Sequence, residues 1–226
     1  MALLQGNQGQ SGKQVGQSLT AGFGEFSDVL VTELQPRYYE NTYRAQKFTA
    51  STVGGGLATA ATQLFSTAIA TFTPILALYN PLTSPVNLVI DHIWCGLSAA
   101  PLATITQTGA YVLVCGAGQS ITNAQSATPV NNKTLKAAGS QAIGITGAAL
   151  AGAVGNATML RPLSGIIELV TATANATGVV GAINIEDVSG SIIVPPGGYL
   201  GIAMGISNAV ANHLTTAGMT WDEVSV

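Results

Sequence analysis

The chain has 226 residues, of which only 8% are charged: seven Lys or Arg against ten Asp or Glu, for a net charge of −3. A soluble domain carries about a quarter charged residues, so this is not a chain held open by self-repulsion. With no Lys/Arg cluster it also lacks the footprint of a nucleic-acid-binding face, and no nucleic-acid partner is expected.

The apolar residues are small: 33 Ala and 27 Gly, beside 25 Thr, against five Phe and two Trp. Such a composition suits a membrane or an assembly that covers much of the surface. A spanning helix needs roughly 18 consecutive apolar residues. The run 142–154 is shorter, contains three Gly and is closed by Gln141 and Asn156, and the run 64–79 is broken by Ser66 and Pro74. Singly scattered tyrosines do not form the girdles of a transmembrane barrel. No membrane is expected. Met1-Ala2-Leu3-Leu4 passes directly into Gln5-Gly6-Asn7, without the apolar stretch of a secretory signal, so synthesis in a cytoplasm is expected. Cys95 and Cys115 lie in separate apolar runs that could be neighbouring strands, and both are expected as buried free thiols.

In chain order, residues 5–24 form a Gly/Gln/Ser-rich arm that buries too little to offset the entropy of ordering. Residues 25–47 are different. They carry Glu25, Asp28, Glu33, Arg37, Glu40, Arg44 and Lys47, interleaved with Tyr38, Tyr39 and Tyr43. A short strand is predicted at 28–34, with Pro36 after it, and a short helix or irregular segment at 38–44. Aromatics and Arg dominate binding hot spots, which makes Arg37, Tyr38, Tyr39, Tyr43 and Arg44 the candidate partner-binding residues. The plainer reading of the same segment is a solvated flap with partly buried rings.

From Phe48 onward the pattern is β-like. Val/Ile/Thr-rich runs predict strands at 86–97, 110–115, 165–172, 179–185, 191–194, 199–204 and 218–226. A further strand at 71–79 is demoted by Pro74 to an edge or a bulge. Short helices are allowed only at 59–70 and 141–154. About eight strands at this spacing predict an all-β chain. The expected architecture is an antiparallel β-sandwich or jelly roll over 48–226, preceded by an extended N-terminal arm and linker over 1–47. Pro195-Pro196-Gly197-Gly198 predicts a type II turn, with Pro196 presetting φ and Gly197 supplying a positive φ.

No chemistry-bearing constellation emerges, and neither an enzyme nor a cofactor is expected. Gly54-Gly55-Gly56 and Gly116-Ala117-Gly118 lack the Lys and the strand-to-helix setting of a phosphate loop, and there is no G-x-S-x-G elbow. Asp91-His92-Ile93-Trp94-Cys95 resembles a metal ligand run, but on a strand His92 and Cys95 point to opposite faces, so no metal is expected. A sugar-cleaving pair would have to come from Asp91, Glu168, Glu186, Asp187, Asp222 and Glu223, with two carboxyl groups about 5 to 10 Å apart. Sequence places no two of them across a cleft.

Both ends of the chain resemble small structural proteins of tailed bacteriophages. The resemblance rests on Met1-Ala2-Leu3-Leu4-Gln5-Gly6 and the arm after it, Val31-Thr32-Glu33-Leu34, Arg37-Tyr38-Tyr39-Glu40, Tyr43-Arg44 and Phe48-Thr49-Ala50. At the far end it rests on Val194-Pro195-Pro196-Gly197-Gly198-Tyr199 and Thr220-Trp221-Asp222-Glu223-Val224. It covers about a third of the chain. It implies a virion component assembled in the host cytoplasm: a head decoration (cement) protein on the capsid surface, with the major capsid protein as partner. The alternative is a spike, fibre or tail-associated protein that binds a host receptor. Proteins of the cement kind tend to be oligomeric β-sandwiches or jelly rolls, and a homotrimer would match the local three-fold positions of a capsid.

Overall fold

The computed structural model describes residues 39–52, 57–58, 73–99, 105–137, 139–170, 177–180, 183–206 and 214–226, with the pairs 5–6, 19–20, 22–23 and 29–30. The short helix expected at 59–70 lies outside them. The chain divides into two compact units, Met1–Glu40 and Asn41–Val226. In the first, β1 (Gln5–Gly6) pairs with β2 (Leu19–Thr20), and β3 (Gly22–Phe23) with β4 (Val29–Leu30), both antiparallel. The strand expected at 28–34 is described only as β4. A five-residue helix, α1 (Tyr39–Tyr43), spans the division.

The second unit is an antiparallel β-sandwich. Its strands are β5 (Lys47–Ser51), β6 (Leu57–Ala58), β7 (Leu76–Tyr79), β8 (Val86–Ala99), β9 (Ile105–Gly116) and β10 (Val130–Asn131). They continue with β11 (Ile143–Thr146), β12 (Thr158–Val170), β13 (Thr177–Val180), β14 (Asn184–Val194), β15 (Tyr199–Ile206) and β16 (Leu214–Ser225). One sheet has the order β10-β5-β16-β8-β14, with β6 also on β16; the other has the order β11-β7-β15-β9-β12-β13. The pairings are nested. β5 pairs with β16, β7 with β15, β8 with β14 and β9 with β12. A long hairpin rolled into two sheets has this order, so the sandwich is compatible with a jelly roll.

Three local expectations are corrected. The run 179–185 is not one strand: β13 ends at Val180 in the second sheet and β14 begins at Asn184 in the first. The run 141–154 holds no helix; Ile143–Thr146 pairs with β7, and a turn follows. Cys95 and Cys115 lie on β8 and β9, which belong to opposite sheets rather than neighbouring strands of one.

The type II turn is present. Gly197 has φ +76 and Gly198 N donates to Pro195 O at 2.8 Å. It carries the chain from β14 in one sheet to β15 in the other.

Between the sheets, Phe48, Ile90, Ile93, Met219 and Trp221 of the first pack with Leu78, Leu113, Leu200 and Ile202 of the second. Phe48 and Trp221 stack with ring centroids 6.1 Å apart. A second apolar cluster joins Tyr79, Val112, Val114, Ile145 and Tyr199 of the second sheet to Ile121, Leu150 and Ala153. Ile121 lies in the connection between β9 and β10, and Leu150 and Ala153 follow β11, so the second sheet is buried on both faces at β7, β15 and the Tyr111–Val114 part of β9. That burial explains why Ile75–Tyr79 and Tyr111–Val114 are continuous apolar runs rather than alternating ones. The outer face of the first sheet carries Lys47, Thr49, Thr220 and Asp222 instead.

Candidate docking site

α1 stops because Ala45 adopts φ 60, a left-handed conformation that turns the chain into β5. Ala45 N donates to Thr42 O at 3.0 Å and Gln46 N to Asn41 O at 2.9 Å, satisfying carbonyls at the helix end. Asn131 fastens this corner. Its Nδ2 donates to Ala45 O at 2.7 Å, while its Oδ1 accepts from Lys133 N at 3.0 Å and Thr134 N at 3.2 Å. The second pair of bonds is an Asx arrangement that holds the turn after β10.

The turn presents Lys133 to α1. Lys133 Nζ donates to Tyr43 O at 2.6 Å and lies 4.5 Å from the Tyr43 ring centroid, within cation–π range. Tyr43 is 57% exposed and Leu135 79% exposed; Arg44, Lys133 and Lys136 are exposed with them. Lys133 thus flanks an exposed aromatic ring, with the exposed Arg44 next to Tyr43 in the chain and the exposed Lys136 in the same turn as Lys133. A flat ring fixed by a hydrogen-bonded neighbour loses little entropy on contact, and the cations favour a partner surface with acidic groups.

Of the residues singled out by sequence, Tyr43 and Arg44 stand at this corner. Tyr39 lies in α1, with its side chain outside the description, and Arg37 and Tyr38 lie outside the described residues. Lys133, Leu135 and Lys136 were not legible as part of the site. The signal in the chain is Asn131-Asn132-Lys133-Thr134-Leu135-Lys136, a turn-forming stretch with two Lys, but nothing local joins it to Tyr43.

No family model, curated protein or solved structure matches this chain.

The six carboxylates raised by sequence are placed as follows. Asp91 and Asp222 both approach Lys47. Glu186 pairs with Arg161 at 2.6 Å, joining β14 to β12 at the side of the sandwich. Asp187 accepts from Ser189 Oγ at 2.5 Å. Glu223 Oε1 accepts from Ser140 Oγ at 2.6 Å and Gln141 N at 2.9 Å. The side chain of Glu168 lies outside the description. Among the described residues no group of three or more His, Cys, Asp or Glu is arranged to hold a metal ion. No helix among them is long and apolar enough to cross a membrane. Cys95 and Cys115 are free thiols, Cys95 buried and Cys115 partly so.

Proposed function

We propose that the chain is a structural protein of a phage virion that binds and stabilises the capsid as a head decoration (cement) protein, with a jelly-roll domain as its body. The observation that carries the reading is the corner formed by Tyr43, Arg44, Lys133, Leu135 and Lys136. It is a ready contact surface, held by hydrogen bonds within the Asn41–Val226 unit. Its partner is the major capsid protein, met through acidic and apolar groups. Contact across subunit boundaries that exist only in the assembled shell lowers the free energy of that shell by linkage.

Surface apolar residues support the same reading. Ile185 and Ile193 are 69% and 55% exposed on β14, the last strand of its sheet among the described residues. Apolar side chains on an edge strand are a liability in a lone monomer and are covered in an oligomer; a homotrimer on the capsid surface is the proposed state.

The test is immunogold electron microscopy of purified particles with antibody raised against the full chain. Gold over the heads is the expected result. Label confined to the tail or its tip would replace this reading with receptor binding. Unlabelled particles, with the antibody still recognising native protein, would remove the virion reading altogether.

A further inference from the structure

The first sheet carries a buried group of three charges that the docking reading does not use. Phe48 and Trp221 face the core, so Lys47 and Asp222, adjacent to them along β5 and β16, lie on the opposite face of the sheet. Lys47 and Asp222 are direct register partners. On β8, Ile90 is opposite Trp221 and His92 opposite Thr220, which leaves Asp91 as the extra residue of a bulge. A bulge re-aims its side chain, and this one brings Asp91 to the same ammonium. Lys47 Nζ donates to Asp91 Oδ2 and lies 3.1 Å from Asp222 Oδ1. Asn41 Nδ2 holds the other oxygen of Asp222 at 2.9 Å. The three side chains are only 5 to 6% exposed.

Nucleophile, acyl carbon and proton carrier are therefore together in a place that excludes water. Groups held in this way react with effective molarities on the order of 10⁵ M or more. Leaving one cation and two anions buried is costly, whereas an amide in place of the ammonium and one carboxylate removes two of those charges.

We propose that Lys47 and Asp91 are joined by an intramolecular isopeptide bond, with Asp222 as the proton carrier. Asp222 takes one proton from the Lys47 ammonium. The freed Nζ adds to Cγ of Asp91, forming the C–N bond. Asp222 returns its proton to the departing oxygen and the second proton lost from nitrogen completes the water, which leaves as the C–O bond breaks. One ammonium and one carboxylate become one amide and one water, Asp222 ends as it began, and no oxidant or other reactant is required. β16 lies between β5 and β8 in the sheet, so the bond fastens these two strands across β16.

The experiment is intact-mass measurement of the purified, denatured full chain, followed by protease mapping. The expected mass is that of the sequence less one water, with the peptide containing Lys47 covalently attached to the peptide containing Asp91. The Lys47→Arg and Asp222→Asn chains, checked for native circular dichroism, should show the full mass. A wild-type chain of full mass overturns the proposal, and so does a water loss that maps to any other position. A linked Asp222→Asn chain would overturn the role given to Asp222.

Discussion

Gly218 on β16 lies directly beneath Trp94 on β8. The two are register partners, and a Cβ added at 218 would overlap the indole at Cζ2 and Cε2. The glycine lets an aromatic ring lie flat on its neighbour strand on the outer face of the first sheet. Gly218→Ala must push the indole away or separate the central pair of strands. Overpacking of this kind costs about 1–3 kcal/mol. Urea unfolding should show a lower midpoint with an unchanged slope; an unchanged midpoint would mean that Trp94 is not held against the glycine.

The turn at Gly197 makes a comparable prediction. Its φ of +76 is open to glycine and strained for other residues, its N donates to Asn80 O at 2.8 Å, and a Cβ there would come within 2.5 Å of Leu82 Cδ2. Gly197→Ala should cost about 1–2 kcal/mol from backbone strain alone, read as a lower urea midpoint. The carbonyl of Gly197 also accepts from Gln119 N at 2.7 Å, so the loss should be accompanied by faster amide exchange at Gln119.

That turn was legible because its chemistry is local: Pro196 and Gly197 set the two central dihedrals whatever surrounds them. The strands β7, β8, β9, β15 and β16, and the ends of β12 and β14, were legible for the same reason, through Val/Ile/Thr runs and their Gly/Pro/Asn boundaries; β5, β6, β10 and β11 were not. The division within 179–185 was not, because Val179-Val180-Gly181-Ala182-Ile183 is one apolar run and only the change of sheet between β13 and β14 separates its ends. The Ala-rich 141–154 region read as a possible helix; its pairing with β7 and burial of Ile145 override that propensity. The docking corner was half legible. Tyr43 and Arg44 stood out by composition, whereas Lys133 reaches them only through the pairing of β10 with β5. The group of Lys47, Asp91 and Asp222 was invisible, since it depends on register across three strands and on a one-residue bulge.

Burial makes the protein sensitive to alkali. Loss of hydration pushes the Cys95 thiol from 9.0 up to about 12, against a smaller opposing effect of its Ser164 hydrogen bond, and it also raises the Cys115 thiol and the Tyr199 phenol. The unfolded chain releases the Cys95 proton near pH 9 while the native chain retains it. Over that interval the unfolded state binds fewer protons, so stability falls as pH rises. The contribution is fully present below pH 9 and is lost progressively up to about 12. Urea midpoints measured against pH should therefore decline across this window, and less steeply in Cys95→Ala, whatever that variant's stability at neutral pH. At about pH 8 a thiol reagent should leave Cys95 unmodified until denaturant is added.

The docking corner predicts separable effects on binding and folding. Tyr43 projects into solvent, and Lys133 holds its ring from one side through the 4.5 Å contact and the bond to Tyr43 O. Tyr43→Ala removes the contact surface itself and should weaken binding to capsids about tenfold or more, the cost of losing a hot-spot aromatic. Lys133→Ala leaves the ring but frees it, so its effect should be smaller. The double variant should lose less than the sum of the two, because each disturbs the same contact. Folding stability should move by no more than about 0.5 kcal/mol in the Tyr43 variant, as for other exposed side chains. Under the proposed docking of Arg44, Lys133 and Lys136 on an acidic partner, raising the salt concentration should weaken wild-type binding. Arg44→Ala should flatten that dependence. Capsid sedimentation with the full chain reads all of these, and undiminished binding by Tyr43→Ala would move the interface away from this corner.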